Sequence, residues 1–508
     1  MRLLQRLYCI CKEAAVRYQP YVGLEVHAQI MTRTKLFSSA EFDDSAHVNS
    51  CIALFDMGLP GTLPVLNKSA VMKGIAAGLA LNCKIPKRCK FERKHYFYAD
   101  LPIGYQITQR DQPIAHSGFF EFYVYSDDNS FVPYKKRINI MRIQLENDSG
   151  RIVHDLSNNR SLIDLNRAGV GLLEIVTSPD ITSALEAYCF TQQLRLTLMA
   201  NNLCGGEMQK GQFRVDVNIS LGEASSGNFG VRTEIKNLNS LRMVRRAIDN
   251  EIARQRQILL SGSSVINETL TVDCSGHAVT MREKEVETDY RFLPETNLPP
   301  VHIKEEWIKT CKSMIVKPSY LKCIEEYGIE PRTALKIASE KSVTKFFEKI
   351  LAICKTVKVI PVLVEWVYSL QTICHNCNKP FPPSGQLPKE TFIGHFVEAI
   401  ELFHAKKLTK LTTFDLLRRY VRNELNNSPT ETANVETLWR IADKDDIIRI
   451  FEKVMLDNSE LVAKVRKNGA KKHFTKLRTA VLNECNRQIE ADEISELIMQ
   501  RICEKKKV

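Results

Sequence analysis

The sequence predicts an α+β protein with a sheet in its first part and helices alone in its second. Two observations predict it. From Val22 to about Pro300, short stretches alternate apolar and polar residues between turns rich in Gly, Pro and Asn, the period-two mark of half-buried strands. From about Glu305 onward this alternation fades, and helix-length segments rich in Leu, Ile, Lys and Glu follow one another.

Taken in order, the clearest strand is Tyr21–Ile30, YVGLEVHAQI. Val22, Leu24, Val26, Ala28 and Ile30 fall on one side, and Gly23, Glu25, His27 and Gln29 on the other. Helical spacing covers Ser69–Leu81, Ser183–Ala200 and Ser240–Leu260. The segment His95–Ile107 brings Tyr96, Phe97, Tyr98 and Tyr105 around a Pro-x-Gly turn, which suits a stacking platform beside a cleft or a well-packed hairpin equally. Four further strands repeat the opening pattern. Arg142–Glu146 sets Arg142, Gln144 and Glu146 against Ile143 and Leu145. Gly171–Val176 sets Glu174 between Leu172 and Val176. Arg214–Ser220 presents Arg214, Asp216, Asn218 and Ser220, and Val231–Lys236 presents Arg232, Glu234 and Lys236.

If these strands share one sheet, its open face gathers Glu25, His27, Glu146, Glu174, Asp216 and Glu234, interleaved with Arg142, Arg214, Arg232 and Lys236. A solvated sheet face also carries mixed charges. Carboxylates with one imidazole beside Asn- and Gly-rich turns, however, suit a hard divalent cation, and adjacent Arg and Lys suit phosphate oxygens. Together they are the parts of a phosphoryl-transfer site, where positioning and charge neutralisation do most of the catalysis.

Composition bounds the rest. A chain of 508 residues has room for two to four domains. Its net charge of +12 fits a phosphate-rich partner as well as it fits simple solubility. The 15 cysteines are scattered, which indicates reduced thiols. The close pair Cys374 and Cys377 has no second pair nearby and reads as a polar loop before Pro380. The apolar run Val357–Leu370 is interrupted by Lys358, Pro361 and Glu365 and reads as too short and too polar to span a bilayer, so no membrane insertion is expected. Residues 1–19 set Arg2, Arg6, Lys12 and Arg17 against one acid, Glu13, as in a mitochondrial targeting presequence or a disordered basic terminus. There is no P-loop, no Rossmann fingerprint, no kinase H-R-D or D-F-G set and no nucleophile elbow. No stretch resembles the Gly/Ser-dense setting of an amidase nucleophile, so the chain is not expected to make its own ammonia.

Several stretches resemble the B subunits of the aspartyl/glutamyl-tRNA amidotransferase family. They are GLEVHAQI at Gly23–Ile30, LPGTLPVLN at Leu59–Asn67, RKHYFYADLPIGYQITQ at Arg93–Gln109, DLNRAGVGLLEIVTSPD at Asp164–Asp180, RTEIKNLNSLRMVRRAIDNEIARQ at Arg232–Gln255 and DYRFLPETNLPP at Asp289–Pro300. The spelling HYFYADLP is similar to the mitochondrial branch. The resemblance implies a kinase-like, mixed α/β cradle domain over residues 20–300, an all-α helical domain over 301–410 and an all-α, tRNA-binding tail over 411–508. It implies a heterotrimer in the mitochondrial matrix, with an amidase (A) subunit releasing ammonia from glutamine and a small C subunit that holds the two together. The family's B subunits would phosphorylate the glutamyl carboxylate of misacylated Glu-tRNA(Gln) with ATP and Mg2+ and let ammonia displace the phosphate. By position, Glu25, His27, Glu146 and Glu174 would be metal ligands, with Asp216 and Glu234 lining the same pocket. A non-catalytic tRNA-binding scaffold that keeps the fold is the alternative, though it has no need of those acids. A free-standing ligase of small molecules would leave the basic tail unexplained.

Two departures stand out. Many bacterial members carry C-x-C and C-x-x-C pairs that look like zinc ligands; here the positions read Ser38, Ala40, Ala53 and Asp56, and no zinc is expected. The usual acid pair of L-E-E-D-A-G reads Glu146-Asn147, so a metal ligand at the second position would be uncharged and weaker. In the tail, Lys464, Arg466, Lys467, Lys471, Lys472, Lys476 and Arg478 surround Gly469 without an acid, and Lys467, Lys471, Lys472 and Lys476 are the expected tRNA contacts. The family's Gly-rich signature after this cluster reads KLRTAVLNECNRQ here.

Overall fold

The computed structural model describes residues 18–503, apart from 129, 224–227, 274–276, 284–290, 355, 384–388 and 469–470. The presequence reading therefore lies, up to Arg17, outside the described residues. The chain divides into two compact units, one ending at Pro318 and one starting at Ser319. The first is mixed α/β and rich in sheet; the second is helical.

In the first unit the elements run β1 (Tyr18–Gln29), α1 (Lys68–Ala80), β2 (Arg88–Cys89), β3 (Glu92–His95), β4 (Tyr105–Thr108), β5 (Ala115–Val124), β6 (Tyr134–Asn147), β7 (Arg151–Asp155), β8 (Arg160–Asp164), β9 (Gly171–Thr177), α2 (Ala184–Ala200), β10 (Phe213–Glu223), β11 (Thr233–Leu238), α3 (Leu241–Leu260), β12 (Glu268–Val272), β13 (Ala278–Glu283), β14 (Arg291–Pro294), β15 (Val301–His302) and α4 (Glu305–Met314). Eight strands form one sheet in the order β13-β12-β11-β10-β1-β9-β6-β5. Its neighbours are antiparallel except β11 and β12. Val22, Leu24, Val26 and Ala28 of β1 are fully buried on the face opposite Glu25 and His27.

Side-chain caps fix where the helices begin. Ser183 accepts from the Glu186 N–H and Ser240 from the Met243 N–H, so α2 and α3 start one residue after the serines that the spacing placed first. Glu186 also ties α2 to β6: Lys136 Nζ (2.6 Å) and the Thr182 N–H (2.7 Å) donate to its Oε2, and the Tyr134 hydroxyl donates to Oε1 at 2.8 Å. On edge strand β5, the Gln193 amide accepts from the Tyr123 N–H at 2.9 Å and donates to the Tyr123 carbonyl at 2.7 Å, occupying groups an edge would leave open.

The last residues of β6 run past the end of β5, whose pairing stops at Ala115–Ile143. Strand β4, from a separate three-stranded sheet with β3 and β14, takes the freed edge. Gln106 Nε2 donates to the Asn147 carbonyl (2.9 Å), Asn147 Oδ1 accepts from the Ile107 N–H (2.6 Å), and Gln109 Oε1 accepts from the Leu145 N–H (3.1 Å). This clamp holds Glu146 between two fastened neighbours.

The second unit contains α5 (Ser319–Tyr327), α6 (Pro331–Ser339), α7 (Lys341–Ile353), α8 (Ile360–Asn376), α9 (Lys389–His404), α10 (Lys410–Val421), α11 (Pro429–Val435), α12 (Lys444–Asp457), α13 (Ser459–Asn468), α14 (Lys471–Glu484) and α15 (Ala491–Ile498). Helix α8 corrects two sequence readings. The apolar run continues beyond Leu370, and Pro361 sits in the first turn, where it is tolerated. Val357–Asn376 is thus long and apolar enough to cross a membrane by length and composition. Here it is a core helix burying Leu363, Val364, Trp366, Val367 and Leu370. The expected loop at Cys374–Cys377 is its last turn, with Cys374 buried and Cys377 as the C-cap.

Candidate functional site

Strand register lays the polar face out in rows. Across β10, β1, β9 and β6 runs Arg214–His27–Glu174–Gln144, and beside it Asp216–Glu25–Val176–Arg142. Glu146 lies opposite Leu172, one row further along β6. Alternation within each strand turns these side chains to the same face, and the β3–β4 hairpin stands beside them. The result is a cavity of about 450 Å³ whose lining includes Glu25, His27, Glu146, Glu174, Asp216, Arg214 and Lys236, a volume ordinary for a small-molecule site.

At its floor, ligand atoms of His27, Glu146 and Glu174 all lie within 4.8 Å of one another. His27 Nε2 is 3.5 Å from Glu146 Oε1. One imidazole and two carboxylates at this spacing fit a hard or borderline divalent cation. The electrostatics without a cation are those of crowded acids. Burial, then the Glu174 charge, raises Glu146 well above the ordinary carboxylate range. Burial also pushes Glu174 upward, but His27 and hydrogen bonds from Glu146 and Gln144 outweigh it and hold Glu174 low. Glu25 is raised by burial and by Glu174 and Glu234; its Oε1 accepts from Asn218 Nδ2 at 2.9 Å.

The remaining expected residues divide. Asp216 lines the cavity, and its Oδ1 accepts from the Asn237 N–H at 2.7 Å, pinning a bulge between β10 and β11. Asn237 takes φ 61° there, a conformation Asn tolerates. Glu234 is buried behind the wall, 3.6 Å from Lys236 Nζ and bonded by the Thr269 hydroxyl at 3.3 Å. Arg142 and Arg232 do not line the cavity. Val176 separates Arg142 from Glu25 in the row, and Arg232 is exposed before β11 begins.

Tyr96 and Tyr98, two of the aromatics offered as a platform beside a cleft, also line it, as do Lys94, Asp148 and Arg167, which were not among the expected site residues. Period two would have found Lys94, since Arg93 on the opposite side of β3 makes a bidentate pair with Glu295 (2.7 and 2.9 Å). It would have found Asp148 too, two residues past Glu146. Asp148 Oδ2 lies 3.0 Å from Arg214 Nη2 and 3.4 Å from Arg167 Nε, fixing two guanidiniums in the wall. Asn147 faces the other way, into the β4 clamp, so it is no candidate ligand.

The positions at which the resemblance places zinc ligands do not fit the metal. Asp56 Oδ2 is taken by Lys35 Nζ (3.1 Å), Ser38 Oγ (3.0 Å) and the Ala53 N–H (3.0 Å). A hydroxyl, two methyls and a carboxylate already neutralised by an ammonium offer no tetrahedral thiolate set.

In the helical unit, Lys472 and Lys476 are exposed one turn apart on α14 and line a shallow groove with Thr475 and Thr479. Lys467 lies on α13 and Lys471 opens α14, but their side chains fall outside what the structure describes.

Compared with known proteins, residues 20–309 match the family described as the GatB/GatE catalytic domain. The chain is 38% identical over 487 residues to a Danio rerio protein named as the mitochondrial B subunit of glutamyl-tRNA(Gln) amidotransferase, covering 91% of this chain and 85% of that one. The human protein of the same name is 41% identical over 352 residues, 66% of this chain and 63% of its own length. The B subunit of an aspartyl/glutamyl-tRNA(Asn/Gln) amidotransferase from Orientia tsutsugamushi is 37% identical over 465 residues, 90% of this chain and 91% of its own.

Proposed function

Since this chain belongs to the GatB/GatE family, as a B subunit of a tRNA-dependent amidotransferase, we propose that it activates the glutamyl side chain of Glu-tRNA(Gln) with ATP in the mitochondrial matrix. On this reading the first unit is a kinase-like cradle. The second divides near residue 410 into a helical domain and a tRNA-binding tail, whose stripe of Lys472 and Lys476 meets phosphates. An amidase subunit supplies ammonia, and a small third subunit holds the pair together.

The observation that carries the reading is one cavity with acids and an imidazole at its floor and cations in its wall. A carboxylate is a poor electrophile. Attack of its oxygen on the γ-phosphorus of ATP, with ADP leaving, turns it into an acyl phosphate; the ammonia nitrogen then adds to the acyl carbon and phosphate departs. His27, Glu146 and Glu174 would hold Mg2+, with Glu25 beside them. When bound, the cation offsets charge on the phosphate oxygens and the glutamate. Arg214 and Arg167, fixed by Asp148, and Lys94 and Lys236 present donors to the transferring group and the leaving phosphate.

The test uses the complex purified with its partner subunits. Amidation of Glu-tRNA(Gln) should require ATP and Mg2+, and tRNA affinity should fall steeply with salt. ATP-independent amidation would overturn the activation step, and tRNA binding by a complex that takes up neither ATP nor Mg2+ would instead establish the scaffold.

A further inference from the structure

Gln144 lies in the same cross-strand row as His27 and Glu174, yet it does not line the cavity. It is buried, at 6% exposure, with both amide hydrogens and its oxygen engaged by side chains. Its Nε2 donates to Glu174 Oε2 and to Thr108 Oγ1, the latter at 3.3 Å. Thr108, itself buried on β4, donates its hydroxyl to Glu146 Oε2 at 3.3 Å. On the far side Arg142 Nε donates to Gln144 Oε1 at 3.1 Å. The order of the chain is Arg142, Gln144, then Glu174 directly and Glu146 through Thr108.

The arrangement has only one sense. Turning the amide over would set Oε1 against the Glu174 carboxylate and an NH2 against a guanidinium that has nothing to accept with. Arg142 therefore fixes the amide, and the amide fixes one oxygen of Glu174 while Thr108 occupies one oxygen of Glu146. Glu146 Oε1, the oxygen Thr108 does not take, lies 3.5 Å from His27 Nε2. A neutral donor suits this position. A lysine in its place would pair with Glu174 outright and compete with any cation for the carboxylate, whereas an amide orients an oxygen and leaves the charge available.

The geometry points to Gln144 and Thr108 as positioning residues that set the two carboxylates for a divalent cation, with Arg142 acting through Gln144. This rests on the metal reading given above. It assigns Arg142 a place in the wiring behind the floor of the cavity, not a contact with nucleotide.

The experiment measures Mn2+ binding to the whole complex by electron paramagnetic resonance of the free ion, with thermal melting of the metal-free complex alongside. Gln144→Ala should weaken Mn2+ roughly 10- to 100-fold at unchanged melting temperature. Thr108→Val should weaken it less. Arg142→Leu should weaken it in the native background and do nothing further in the Gln144→Ala background, because the arginine acts only through the amide. If Gln144→Ala does not fold, Thr108→Val and Arg142→Leu carry the test. Wild-type binding with native affinity in the folded variants overturns the positioning role and leaves the metal reading standing. Equal losses from Arg142→Leu in both backgrounds overturn the relay. Failure of the wild type to take Mn2+ overturns both.

Discussion

Glu146 and Asn147 are neighbours in sequence and belong to different parts of the architecture. Glu146 faces the cavity and Asn147 faces β4, where its Oδ1 accepts the Ile107 N–H at 2.6 Å. The missing second acid therefore removes no candidate ligand, and the weaker metal affinity expected from it has no basis in this geometry. Glu146 is the residue to change. Glu146→Ala in the assembled complex should cut ATP-dependent amidation by about 10²–10³-fold, the scale expected for a lost electrostatic anchor, while tRNA affinity stays native. Retained amidation would remove Glu146 from the metal shell. The alternation of Tyr21–Ile30, Arg142–Glu146, Gly171–Val176 and Arg214–Ser220 was enough to put Glu25, His27, Glu146, Glu174 and Asp216 on one face. It misled at Arg142 and Arg232, because period two fixes a side and says nothing of how far along the strand the cavity reaches.

At the level of elements, helix α2 shows how a cap and an ion pair act together. Ser183 accepts the Glu186 N–H, and the Glu186 carboxylate returns to the Thr182 N–H while holding Lys136 and Tyr134 of β6. Burial alone would raise this carboxyl; those bonds outweigh it and hold it below the usual value. A group whose folded pKa is depressed stabilises above its unfolded pKa, and that stabilisation is lost as pH falls through the folded one. Glu186→Gln should cost about 1–3 kcal/mol at neutral pH. The gap to wild type in melting temperature should close on acidification through the carboxylate range. A gap that persists unchanged at low pH would mean the loss is one of packing, not charge. Helix starts were readable because Ser183 and Ser240 announce them. The β4 clamp was not, since Gln106, Gln109 and Asn147 reach backbone groups about 40 positions away in sequence, and nothing local marks such partners.

Across the whole molecule, the change from alternating to helical patterning was legible and corresponds to two compact units. Where one ends was less so. Helix α4 follows the last strand pattern yet stays with the first unit, its Cys311 Sγ donating to the Met72 carbonyl of α1 at 3.3 Å. Apolar length was also an unreliable guide: α8 has the composition of a spanning helix, yet about half of it is buried as a core element of the helical unit. The tail follows the same economy, with Leu477, Val481, Ile489, Ile494 and Ile498 buried in one cluster while Lys472 and Lys476 stay outside.

The pairing of Lys35 with Asp56, both side chains at most 1% exposed, constrains how this sequence can drift. Each residue alone is an interior charge without its counter-ion, costing about 3–5 kcal/mol, even though Asp56 keeps its bonds from Ser38 and the Ala53 N–H. Lys35→Met or Asp56→Leu by itself should be purged from a library selected for folded protein, and the two together should reappear among the survivors. Survival of the singles at the frequency of neutral surface changes would show that solvent reaches the pair. The two positions are in effect one heritable character, spelled in two places.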